Sequence, residues 1–129
     1  MIPRYSTKEM EKIWSTDNKY KIWLIIEILA CEIQEELGNI PKNTTKKIIR
    51  KASFEEKRIQ EIESKTKHDV IAFLTNVAEH VGDEARFIHK GLTSSDILDT
   101  CLSVQLSSSA DLIIAKLKKL LLSLKKKAL

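Results

Sequence analysis

Two short segments concentrate residue types that bind anions. Lys67-His68-Asp69 packs a cation, an imidazole and a carboxylate into three consecutive positions, and Arg86, His89, Gly91, Thr93, Ser94, Ser95 and Asp96 follow a little further on. Each segment lies where a helix is expected to begin. A helix N-terminus carries about half a positive charge and up to four unsatisfied N–H groups, so hydroxyls and cations beside it form an anion cradle. Arg4 and Tyr5, just before the first expected helix, would add a third cationic lip.

The same residues also serve plainer ends. Asp69 and Ser95 are good N-caps, the commonest use of such residues at these places. An Arg near a terminus, such as Arg4, is usually solvated, and His80 lies on the polar side of its helix. Three histidines with no Cys, Asp or Glu at ligand spacing make no zinc site, and no metal or other cofactor is expected. Neither G-x-G-x-x-G nor G-x-x-x-x-G-K-[ST] occurs, so a nucleotide would have to be held by helix ends. Ser94 and Ser95 lack a G-x-S-x-G elbow and are better placed to bind than to attack.

The elements that position these segments are helices. The 129 residues are 43% hydrophobic with only three Gly and two Pro, which excludes a disordered tail and disfavours a turn-rich β fold. Ser6 and Glu9 read as a capping box for a helix from Thr7 to about Trp14. A second helix is expected from about Asp17, with Trp23, Ile26, Ala30, Ile33 and Leu37 on its inner face, Gly38 at its left-handed end and Pro41 blocking continuation. Short helices are predicted over Thr44–Lys51 and Phe54–Lys65, the latter with a Ser53/Glu56 capping box. Asp69 is read as the N-cap of a helix whose core face is Val70, Phe73, Val77 and Val81, closed by Gly82. A loop with a short helical turn spans Asp83–Lys90.

From about Ser94 to Lys127 no Gly or Pro occurs, and Leu106, Ala110, Ile113, Leu117, Leu120 and Leu124 recur at the 4-3-4-3-4 spacing of a bundle seam. Such a helix measures about 50 Å, whereas the residues before it would pack to a radius of gyration of about 12 Å. It must outrun its own domain. Burying each Leu or Ile of the seam is worth roughly 1.5–3 kcal/mol, so partner helices from other copies or from further sequence are expected to cover it. The end at Lys125-Lys126-Lys127-Ala128-Leu129, with no helix stop, reads as a cut. The expected organisation is all-α, with a small N-terminal helical domain over residues 1–92 and, over 93–129, the first long helix of a central helical bundle.

The formal charge of +4 belongs to that helix. Lys116, Lys118, Lys119, Lys125, Lys126 and Lys127 all follow the last acid, Asp111; removing these six from 22 basic residues leaves 16 against 18 acidic ones, net −2. With few aromatic rings as well, a nucleic-acid partner is not expected. Cys31 and Cys101 are too isolated for a metal knuckle or disulfide framework, which fits the cytoplasm. Early charges interrupt any signal peptide. Glu27, Glu32, Lys116, Lys118 and Lys119 break the two most apolar stretches, so no membrane partner is expected.

Lys67-His68-Asp69-Val70, Phe87-Ile88-His89-Lys90-Gly91-Leu92-Thr93-Ser94-Ser95-Asp96 and Asp99-Thr100, with Arg4-Tyr5-Ser6, Met10 and Ile13-Trp14 at the expected distance, resemble the adenylosuccinate lyase family of the fumarase/aspartase superfamily. The resemblance runs through essentially the whole chain in order and spacing. It implies a homotetramer with a core of long helices. It also implies cleavage of adenylosuccinate to AMP and fumarate, and of the succinyl-carboxamide ribotide SAICAR to AICAR and fumarate. The reaction is an anti β-elimination: a base takes a proton next to a carboxylate, and an acid protonates the leaving nitrogen.

Carried over by position, Arg4 and Tyr5 match residues that bind the nucleotide. Lys67, His68 and Asp69 match a substrate-contacting segment whose His supports the general acid. His89 matches a phosphate contact, and Thr93 and Ser94 match hydroxyls that bind a succinyl carboxylate. The family's general acid His and base Ser match nothing up to Leu129, so the chain alone is expected to be inactive. Lys90, where relatives often carry an aromatic, is a departure. The competing reading is a non-catalytic helical module that assembles through the Leu106–Leu124 seam.

Overall fold

A computed structural model describes residues 3–128, and among them every regular element is helical. A 3₁₀ turn, Pro3–Tyr5, leads into α1 (Lys8–Ile13), α2 (Thr16–Glu36), α3 (Thr44–Lys51), α4 (Glu56–Thr66) and α5 (Asp69–Val81). A second 3₁₀ segment, Gly82–Phe87, turns the chain toward α6 (Ser94–Ala128). The expected order of helices is therefore present, and Gly38 and Gly82 close α2 and α5 with φ of 74° and 79°.

The core is an aromatic knot on α2 and α5. Phe73 is fully buried, with its ring stacked on Tyr20 at 5.5 Å and edge-on to Trp23 at 5.4 Å; Phe54, from the segment before α4, reaches Tyr20 at 5.8 Å. Val70, Phe73, Val77 and Val81 are all buried, as the period of α5 predicts. Ile48 of α3 and Ile59 of α4 close the sides.

The inner face of α2 is not the one expected. Tyr20, Trp23, Glu27 and Cys31 are buried, while Ile33 and Leu37 are 53% and 68% exposed. The helix is apolar on nearly all sides from Ile22 to Cys31, so periodicity discriminates poorly there. The true inner line also passes through a glutamate, which a hydropathy pattern skips.

Three caps also differ from expectation. Thr7, not Ser6, caps α1 by accepting from the Met10 N–H, while the Ser6 hydroxyl bonds Glu11. No Ser53/Glu56 box forms. Glu55 occupies the cap of α4, and its N–H is taken by Asn76 Oδ1 at 2.8 Å, as Phe54 is drawn into the aromatic knot. His68, not Asp69, caps α5: its Nδ1 accepts from the Ile71 N–H at 3.3 Å, and Asp69 becomes the first helical residue.

The first half of α6 runs antiparallel to α2. Trp14 Nε1 donates to Ser109 Oγ at 3.0 Å and Gln105 Nε2 to the Ile13 carbonyl at 2.9 Å, and at the other end Gln34 Nε2 reaches the Lys90 carbonyl at 3.3 Å. Ile97, Cys101, Gln105 and Ser109 form the buried face. From Ala110 to Ala128 every residue is exposed except half-buried Leu112. About 28 Å of helix therefore extends past Ser109 at about 1.5 Å per residue, tied back to α1 at Lys116, whose Nζ meets Glu9 Oε1 at 3.2 Å; Ile113, Leu117, Leu120 and Leu124 along it are each more than half exposed, as is Leu106 just before it. By length and composition alone α6 could cross a membrane, with an 18-residue window of mean hydropathy 1.3, but one face of it packs against the bundle.

One surface pair sets a pH dependence. Arg58 Nη2 meets Glu79 Oε1 at 2.6 Å and holds that carboxyl down from its ordinary 4.5 to about 2, with the Asn76 amide assisting. A carboxyl depressed in the folded state stabilises fully above its unfolded value, and that contribution is lost as pH falls from about 4.5 through about 2. Both side chains are over a third exposed, so the contribution is small. Arg58→Ala is expected to move the Glu79 midpoint back toward 4.5 in carboxyl-detected NMR; an unmoved midpoint would refute the attribution.

Candidate functional site

Lys67, His68 and Asp69 form the hinge between α4 and α5. Lys67 ends α4 in the left-handed conformation, φ 55°, its N–H bonded to the Glu63 carbonyl at 2.8 Å. His68 then caps α5 through Nδ1, which fixes that nitrogen as an acceptor and leaves the proton of the neutral ring on Nε2. Asp69 Oδ1 accepts from the Val70 N–H at 2.7 Å and lies 3.7 Å from His68 Nδ1. Both side chains remain over 40% exposed, so the hinge presents an imidazole N–H and a carboxylate to solvent.

The second segment is shaped by two left-handed residues, His89 at φ 64° and Gly91 at φ 79°. The positive φ of Gly91 is what favours glycine at this turn, since a Cβ there would meet only the end of the flexible Gln34 side chain at an ordinary 3.4 Å. His89 bonds a carboxylate the sequence reading missed: Glu27 Oε2 accepts from its backbone N–H at 2.9 Å, and Glu27 Oε1 lies 2.6 Å from its Nδ1. The Glu27 side chain is 2% exposed. Burial pushes its carboxyl above the ordinary carboxylate range, and the imidazole and amide of His89 pull it back. A lone glutamate inside the run Ile22–Cys31 was the available signal.

Thr93 donates its N–H to Asp96 Oδ2 at 2.8 Å and its hydroxyl to the same oxygen at 3.3 Å, which braces the entry to α6. Ser94 is the first residue of α6. Lys90 turns away to the Asn39 carbonyl, 2.6 Å from Nζ. In the opening 3₁₀ turn the Arg4 guanidinium sits 4.9 Å from the centre of the Tyr5 ring, and Tyr5 is 75% exposed.

These residues do not converge on one pocket of this chain. Phe73, four residues into α5 from Asp69, stacks on Tyr20, whereas His89 is held at Glu27, seven residues and about 10 Å further along α2. Two surface hollows, of about 610 and 420 Å³, are lined by Glu32, Glu35, Lys42, Lys46 and neighbours, and by Gln60, Glu63, Ser64 and Lys67. Of the candidate residues only Lys67 lines either.

The chain is 52% identical over 128 residues to adenylosuccinate lyase of Synechocystis sp. (strain ATCC 27184 / PCC 6803 / Kazusa) and 46% identical over 128 residues to that of Bacillus subtilis (strain 168). Each match covers 99% of this chain but 30% of the relative's length. A crystal structure of a fumarate lyase from Mesorhizobium sp. BNC1 superposes with a TM-score of 0.76 over 84% of this chain and 26% of that one; at 22% identity it shows a shared all-helical fold. A protein-family model described as lyase matches residues 3–129, nearly the full span, and by that match the chain belongs to the lyase family.

Proposed function

We propose that this chain is the N-terminal portion of an adenylosuccinate lyase, an enzyme that cleaves adenylosuccinate to AMP and fumarate, and SAICAR to AICAR and fumarate, in the purine nucleotide pathway of the cytoplasm. The observation that carries the reading is the 52% and 46% identity to two adenylosuccinate lyases along 99% of the chain. In this reading residues 1–92 are the N-terminal domain and 93–129 open the central bundle. Arg4 and Tyr5 bind the nucleotide, Lys67 and Asp69 contact substrate, His68 supports the general acid, His89 takes the phosphate, and Thr93 and Ser94 hold a succinyl carboxylate. The separation of these patches along α2 fits a site completed by neighbouring subunits of a homotetramer.

Grafting supplies the test. Residues 1–129 replace the matched segment of the Bacillus subtilis relative, and fumarate release is followed. An active chimera supports the reading; a chimera that folds and assembles yet cleaves nothing sinks it.

The exposed seam of α6 favours self-assembly, whether as part of the enzyme or as a free-standing module. The isolated chain is expected to associate with increasing concentration in sedimentation equilibrium, and Leu117→Lys with Leu120→Lys to abolish this. A stable monomer with α6 intact by circular dichroism would contradict the need for partner helices.

A further inference from the structure

We infer that Glu27 is the positioning residue of His89: it holds the ring with Nδ1 as donor, so that Nε2 is the one nitrogen offered to an anionic oxygen of the phosphate class. The inference deepens the proposed function and rests on its reading of His89 as an anion contact.

The geometry separates two tasks. Oε2 of Glu27 takes the His89 backbone N–H at 2.9 Å, which is enough to anchor a left-handed residue; Oε1 is aimed at the ring, 2.6 Å from Nδ1. A side chain needed only for the turn would not have to meet the imidazole. The carboxylate is almost wholly buried, whereas the imidazole keeps 20% of its surface in solvent. Nε2 makes no hydrogen bond among the described residues, nor is it one of the buried polar atoms without a partner, so it opens to solvent.

Ring chemistry then selects the ligand. The hydrogen bond at one ring nitrogen decides what the other presents. With Nδ1–H bonded to an ionised Glu27, a second proton on Nε2 gives an imidazolium whose charge is balanced from behind by the buried carboxylate. Its outer N–H points at solvent, and charge-assisted bonds of this kind to anionic oxygens are short and strong. The alternative proton arrangement is distinct: a protonated Glu27 would donate to Nδ1 and leave the neutral ring protonated at Nε2.

Nitrogen-15 NMR of the 129-residue chain tells them apart. In the native chain the His89 Nδ1 resonance is expected at its protonated position, as donation to Glu27 Oε1 requires. In Glu27→Gln the protonated Nδ1 signal is lost. Inorganic phosphate is expected to shift Nε2 and not Nδ1. A native His89 found in the Nε2–H tautomer overturns the inference without need of the variant, as does a Glu27→Gln chain, folded by circular dichroism, whose Nδ1 is unchanged. If Nδ1 is locked but phosphate leaves Nε2 unmoved, the anion-contact reading fails, and with it the ligand assigned to Nε2.

Discussion

The isolated 129-residue chain is expected to release no fumarate above background from adenylosuccinate, monitored by ultraviolet absorbance. On the proposed function, its candidate residues bind and orient: Arg4, Tyr5, Lys67, Asp69, Thr93 and Ser94 are cations, hydroxyls and a carboxylate, and His68 is tied through Nδ1 to the cap of α5. On the same reading, the general acid His and base Ser that the resemblance implies match no residue of the 129. A positioned acid or base contributes about 10²–10⁴ each, so losing both removes roughly four to eight decades of rate before the dispersal of the binding patches is considered. Measurable turnover by the purified chain would show that the elimination runs on residues within 1–129, and would overturn the assignment of roles.

Phe73→Ala is expected to remove about 3–5 kcal/mol of folding stability. The ring has no exposure and touches Tyr20, Trp23 and Phe54, so truncation leaves a cavity bounded by three aromatic rings from two other parts of the chain. Against a typical total of about 5–15 kcal/mol this is a large share, and it lowers the thermal midpoint by about 10 °C or more. Ile113→Ala, on the exposed half of α6, is the control and stays within about 0.5 kcal/mol at concentrations where the chain is monomeric. Thermal melts followed by circular dichroism decide it; a loss below about 1 kcal/mol for Phe73→Ala would mean that the aromatic knot is not the keystone of the bundle.

Much of this architecture is legible from sequence because its strongest signals are local. The period of α5, the glycines that end α2 and α5, and the unbroken run after Ser94 each depend on residues within one or two turns. What escaped is set by tertiary contacts. Phe54 leaves its expected helix because the rings of Tyr20 and Phe73 await it, and Glu55 then caps α4 with the help of Asn76, 21 residues away. At α5 a histidine outcompetes the aspartate beside it for the cap, a role Nδ1 can fill but one the usual preferences for Ser, Thr, Asp and Asn do not suggest.

The candidate site shows the same division. Motif resemblance picks out His68, His89, Thr93 and Ser94, and the structure gives partners for the first three: the Ile71 N–H, Glu27 and Asp96. Glu27 stood out only as a charge inside an apolar run, because its meaning lies 62 residues away, at a ring nitrogen it meets across the interior of the fold. A buried carboxylate is costly unless paired, so the pairing, not the glutamate itself, is the informative feature.

The overhang of α6 makes the bundle a mounting for a lever. Its fulcrum is the stretch where Gln105 holds the Ile13 carbonyl and Trp14 holds Ser109. Further out the exposed Lys116–Glu9 ion pair adds a weaker tie; with about 28 Å beyond the fulcrum, a tilt of about 5° carries the far end sideways by roughly 2.5 Å, close to half the pitch of a helical turn. Two hydrogen bonds from the α1–α2 corner thus aim a surface that lies well outside their own reach, and a slack fulcrum would misalign whatever meets Leu117, Leu120 and Leu124 without disturbing the core at all.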